Sequence, residues 1–221
     1  MSFTDSIHKS IPYIKKGTFF SIVIVKIQSK LKSLIKSAIG FEWQHYYVLS
    51  LSCDSLDDFS FEKASDANIK IATEEDWIDP TLIPELSVEK INYIIERCRN
   101  SDYCCVIYKQ DHVQCYGFIA FRAMELTPNA KFQLPDYEAF MYDDYCFLAS
   151  RRKGLYKKVL NERSRIIKSL GYKRITTIVT PANKPSWNGH KDWKRDQSFY
   201  WYKFRGKEHC TLKTYKPVDK Q

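Results

Sequence analysis

The stretch Ser150–Leu160, SRRKGLYKKVL, decides how the chain is read. Three cations, Arg151, Arg152 and Lys153, stand directly before a lone glycine, Gly154, and a helix-like run follows. Like charges repel, so the cluster needs an anion or a solvated surface. Upstream, EAFMYDDYCFLA reads as a strand; downstream, residues 154–170 read as a helix closed by Gly171. The cations therefore fall at a helix N-terminus, where amides lack intrahelical acceptors and the dipole is positive. That combination makes an anion site, and Gly154 lets a ligand approach the backbone. It is not a P-loop, which needs GxxxxGK and then Ser or Thr, nor a Rossmann fingerprint, since one glycine stands alone.

The 221 residues suffice for one domain with a core and an appendage. With 44% hydrophobic and 28% charged residues, the composition is that of a globular protein and excludes wholesale disorder. The net charge of +9 is uneven: the first forty residues hold seven lysines against one acid, Asp5. This weakens a reading of the whole chain as a nucleic-acid binder. Seven cysteines show no CxxC spacing and read as reduced thiols in a cytoplasmic protein. Five histidines form no zinc pattern, so no metal is expected. No apolar run reaches the roughly 18 residues of a membrane span.

Residues Phe20 to Ile39 carry apolar side chains at spacings of three and four, with lysines on the other face. This predicts an amphipathic helix, either packed on the domain or lying against anionic membrane or a partner. Beyond it, HYYVLSLS and IKIATEEDW read as strands and VEKINYIIERCRN as a helix capped by Ser87. YCCVIYK and VQCYGFIAFRA form a hairpin; residues 125–137, with two prolines, read as a looser stretch. KRITTIVT is a strand, PANKPSWNGH leads into a short helix, and a final hairpin begins at SFYWYKF. This order predicts an α+β fold, a mixed, mostly antiparallel sheet flanked by helices, with one strand–helix–strand crossover. The expected division is a basic helical extension at 1–44 and one domain at 45–221.

Arg151-x-x-Gly154-x-Tyr156 resembles the pyrophosphate loop of the GNAT superfamily of N-acetyltransferases. The preceding strand, the following helix, Gly171, the strand ITTIVT and then Asn183-x-x-Ser186 stand in that family's order. The resemblance spans roughly Ile69 to Tyr215; the segment before it is similar to the helical extension of one bacterial subgroup. Tyr156 and Arg152 replace small residues of the family loop.

The resemblance implies acetyl-CoA or another acyl-CoA as co-substrate and a small amine as acceptor, an amino sugar nucleotide or an amino acid. Two splayed strands would open a cleft, with the pantetheine arm at Cys146 and Phe147. The amides of Arg152, Lys153, Gly154, Leu155 and Tyr156 would hold the pyrophosphate, beside Arg151 and Asn183. His190, seven residues after Asn183 where the family places a tyrosine, would protonate the leaving thiolate; Tyr200 is a substitute. Asp143 is the expected base, with Glu138 and Asp144 as alternatives. Direct attack in a ternary complex is the family norm, and Cys146 has no neighbouring histidine to activate it. The aromatic segments FYWYKF and QLPDYEAFMY are candidates to line the acceptor pocket. A non-catalytic acyl-CoA-binding protein is the first alternative, a basic nucleic-acid- or membrane-binding protein the second. No nucleic-acid partner is expected, and a homodimer is left open.

Overall fold

The computed structural model describes residues 40–57, 68–77, 85–109, 112–127, 129–212 and 214–215. The amphipathic helix expected over 20–39 lies outside them, as does nearly all of the 1–44 extension. The described residues fall into two compact units, one holding 40–43 and 202–209, the other 44–201 and 210–215. In the smaller unit Phe41 stacks on Trp43, and Tyr202 stacks on His209.

The strands are β1 (Phe41–Ser52), β2 (Asn68–Ala72), β3 (Tyr103–Lys109), β4 (His112–Ala120), β5 (Ala123–Thr127), β6 (Ala130–Gln133), β7 (Glu138–Cys146), β8 (Arg174–Val179), β9 (Lys194–Phe204) and β10 (Lys207–Cys210). The helices are α1 (Val88–Arg99), α2 (Leu155–Ser169) and α3 (Lys184–Gly189). In the larger unit the sheet order is β9-β1-β8-β7-β4-β3-β2. The β1–β8, β2–β3, β3–β4 and β4–β7 pairs are antiparallel, and β7–β8 is parallel. The expected α+β class and its single crossover, β7–α2–β8, are thus present. Residues 125–137 depart from expectation: β5 and β6 form a hairpin, because Met124 and Phe132 pair across it as buried core.

Alternation along the strands builds a core on each face of the sheet. Val106, Tyr116 and Phe118 meet Trp77 and Ile94 of α1 on one face. Ile119, Met141 and Ile175 meet Leu160 and Ile167 of α2 on the other. Ser87 caps α1 by accepting from the Lys90 amide, at 3.3 Å.

Two local departures from a regular ladder shape the middle of the sheet. The β4–β7 register shifts between Tyr116 and Phe118, which leaves Gly117 opposite a bulge at Asp143 and Asp144. Asp143 takes a left-handed φ of 53° there. Then β7 and β8 part company. They pair from Glu138↔Arg174 to Met141↔Thr177, yet β7 runs on to Cys146 and β8 to Val179. Cys115 and Cys146, directly opposite in the β4–β7 register, are joined by a disulfide. This corrects the reading of all seven cysteines as reduced thiols: the register places two of them side by side.

Arg163, on the inner face of α2, is fully buried, pairs with Asp144 of β7 and donates from a terminal nitrogen to the Phe118 carbonyl at 2.9 Å. Arg163→Met leaves Asp144 without its counter-charge and should destabilise the fold by about 3–5 kcal/mol. Urea unfolding checks this; the double variant with Asp144→Leu should recover most of the loss.

Candidate active site

The turn between β7 and α2 is shaped by two left-handed residues, Arg152 (φ 62°) and Gly154 (φ 73°). Alternation of this kind turns successive amides toward one side and forms an anion-binding concavity. Among the described residues, none accepts from the amides of Arg152, Gly154, Leu155 or Tyr156; the first α2 bond runs from Lys158 to the Gly154 carbonyl. Arg152, Lys153 and Gly154 are exposed, and a Cβ on Gly154 would meet nothing within 4 Å.

Arg151 points elsewhere. Its Nε donates to the Cys146 carbonyl at 2.9 Å, and its guanidinium lies 5.6 Å from the centre of the Tyr145 ring. It fastens the turn to the end of β7. The Phe147 amide goes to the Gln114 carbonyl, and the Leu148 amide to the Glu85 carboxylate, which also accepts from the Tyr145 hydroxyl. Asn183 caps α3 by accepting from the Ser186 amide, which accounts for its spacing to Ser186. Cys146, in its disulfide, carries no free thiol.

His190 is only 2% exposed. Its Nδ1 lies 2.8 Å from the Ser186 carbonyl, and Nε2 is buried without a hydrogen-bond partner among the described residues. Its ring meets those of Tyr156 and Trp193 edge-on. Burial lowers its pKa from the ordinary 6.5, so at neutral pH it is an uncharged imidazole whose one N–H is engaged. Tyr156, the bulky loop residue, donates its hydroxyl to Asp144 at 3.1 Å, close to Ser186. Burial, and then the Asp144 charge, push its phenol up, so it stays protonated. Tyr156 fills the space that a Cβ on Gly189 would claim.

The three candidate bases separate. Glu138 is buried and accepts from Thr176 and Tyr215, a structural role. Asp144 is tied to Arg163 and Tyr156. Asp143, on the bulge, is bound by Lys90 of α1 at 2.5 Å. Lys90, Glu85 and Arg163 are absent from the sequence-based site. Only Arg163 announces itself: it interrupts the apolar stripe Val159, Leu160, Ile167 on α2.

A row of rings runs from α3 across β1 to β9. Trp187 stacks on Tyr47 at 5.4 Å, Tyr47 meets His45 at 4.7 Å, and His45 stacks on Tyr200 at 4.5 Å. Arg195 lies over Tyr47. A cavity of about 890 Å³ opens at the other end of α2, beside Leu170 and Tyr172, and includes none of these residues. No group of His, Cys, Asp and Glu suited to a metal occurs among the described residues, and no helix among them is long and apolar enough to cross a membrane.

A parallel pair that opens beyond its first residues, with an amide-lined turn on the crossover helix, gives this α+β fold its candidate binding cleft. No protein-family model and no curated protein matches the chain. Among solved structures it is similar to a Drosophila protein, with TM-score 0.55 and 14% identity over 81% of this chain and 57% of that one. It is also similar to a conserved protein of unknown function from Staphylococcus epidermidis, with TM-score 0.50 and 9% identity over 86% of this chain and 67% of that one. Glucosamine-6-phosphate N-acetyltransferase from Arabidopsis thaliana aligns with TM-score 0.42 and 19% identity over 59% and 94%. The first two likenesses concern the fold alone, and the chain spans little more than half the length of the Drosophila protein.

The state of His190 is open to measurement. Unfolded, a histidine takes a proton near pH 6.5; folded, His190 does so only at lower pH. The unfolded state therefore binds more protons just below 6.5, and stability should fall as the pH drops from 7.5 to 5.5. Denaturant unfolding across that range should show the slope, and His190→Asn should flatten it.

Proposed function

We propose that the protein is an N-acyltransferase of the GNAT type. It moves an acetyl or longer acyl group from acyl-CoA to a primary amine of a small molecule by direct attack in a ternary complex. The observation that carries this reading is the 151–156 turn. Exposed cations, two left-handed residues and unaccepted amides gather there, at the end of a strand that has left its neighbour. A pyrophosphate has the charge for such a turn. The open β7 edge suits an extended arm such as pantetheine, which would run past Cys146 and Phe147 toward the bulge.

In this reading Arg152, Lys153 and the amides to Tyr156 hold the pyrophosphate. Arg151 and Asn183 shape the turn and α3 without touching it. Attack on a thioester needs a neutral nitrogen, and Asp143 accepts the amine's proton. The departing thiolate takes its proton from solvent or Tyr200, because His190 is sealed in. The ring row suits an acceptor with a flat or sugar ring, in keeping with an amino sugar nucleotide or an aromatic amino acid.

The sealed His190 also favours a second reading, a protein that binds acyl-CoA and transfers nothing. Binding without turnover across a broad panel of amines would establish it. Contact with anionic membrane through residues 20–39 belongs to the undescribed segment; vesicle binding by the full chain tests it.

Calorimetry with CoA is the direct test. Gly154→Val places a β-branched side chain on a left-handed residue facing the open side of the turn. Loss of even one charge-assisted bond, about 1.5–3 kcal/mol, weakens CoA by at least ~10-fold. The far-UV spectrum should stay unchanged, since the site lies at a helix start. Undiminished affinity in the folded variant overturns the pyrophosphate assignment.

A further inference from the structure

Asp143 already holds an amine. Lys90, in the first turn of α1, donates from Nζ to Asp143 Oδ2 at 2.5 Å, and its ammonium lies 4.6 Å from the centre of the Tyr93 ring. The Lys90 and Asp143 side chains keep 33% and 24% of their exposure, so the pair is not sealed in the core. Its two halves are held firmly. Ser87 caps α1 three residues before Lys90, while Asp143 sits on the bulge of β7, just past the point where that strand leaves β8. A primary amine in contact with a carboxylate, beside the opening, has the composition of an acceptor complex.

We infer that Lys90 is acylated by the protein itself, its ε-amine taking the acyl group of a bound acyl-CoA. This rests on the acyl-CoA reading above. The ammonium gives one proton through Asp143 to water. The neutral nitrogen then attacks the thioester carbonyl carbon; the C–N bond forms and the C–S bond breaks, its electron pair leaving on sulfur. The second nitrogen proton passes to the thiolate, giving Nε-acyl-Lys90 and free CoA, with nothing oxidised or reduced. Acylation removes the charge that holds Asp143.

The full chain is incubated with acetyl-CoA and mapped by peptide mass spectrometry over time, with exposed Lys157 and Lys191 as internal controls. Lys90 should gain one acetyl group well ahead of both. Asp143→Asn should slow this by about 100-fold, and Lys90→Arg should fold normally and stay unmarked at that position. CoA calorimetry on the same preparation separates the two levels of the argument. Acetylation of Lys90 no faster than of the control lysines, in protein that binds CoA, overturns the inference and leaves the acyl-CoA reading intact. Absence of CoA binding removes both.

Discussion

The Arg163–Asp144 ion pair is the constraint on which the site depends. Arg163 comes from the middle of α2, Asp144 from the bulged part of β7, and the Phe118 carbonyl of β4 accepts a further bond from the same guanidinium. One buried side chain thus fixes the crossover helix against two strands. Gly117 is the room it needs, since a Cβ there would come within 2.6 Å of the Arg163 Cζ. With α2 fixed, its N-terminus is fixed, and with it the direction of the turn amides. Desolvating two charges is costly, and a well-packed apolar pair gives comparable stability. What the apolar pair lacks is a carboxylate oxygen for the Tyr156 hydroxyl, through which the same network reaches the loop and α3.

Much of this fold is legible in the sequence, for local reasons. Two continuous apolar runs on either side of QDH mark β3 and β4, the Ser87 cap marks α1, and Gly171, with φ 86°, stops α2. The 151–156 turn is legible because its residues are consecutive. The hairpin at β5 and β6 is not: its prolines and polar residues argue for a loop, and the burial of Met124 and Phe132 that overrides them is a tertiary fact. The same limit hides Lys90. It lies 53 positions from Asp143, and nothing near either residue announces the other. Asn183 and His190 stand where a family pattern puts functional groups. Yet one caps a helix and the other fills a sealed contact with Tyr156 and Trp193. Motif spacing places a residue on an element; only packing decides which way its side chain turns.

The bulky Tyr156 and the buried His190 explain each other. A small residue at 156 would open a void beside Gly189 and leave the imidazole nearer solvent. With tyrosine there, Tyr156, His190 and Trp193 close over one another, and burial keeps the first two uncharged at neutral pH. The positive character of the turn therefore comes from exposed Arg152 and Lys153 and from the backbone, not from histidine beneath it.

The parting of β7 and β8 has a consequence for which substitutions the opening tolerates. An edge that offers its own N–H and C=O groups to a guest reads the guest's backbone-like shape and ignores which side chains flank it. On the acyl-CoA reading, substitutions along that edge cost grip where they alter the path of the chain, as at the left-handed Arg152 and Gly154, and cost chemistry where a side chain handles protons, as at Asp143. Such an opening is exacting about the turns that aim its backbone and about the few side chains that handle protons there, and about little else.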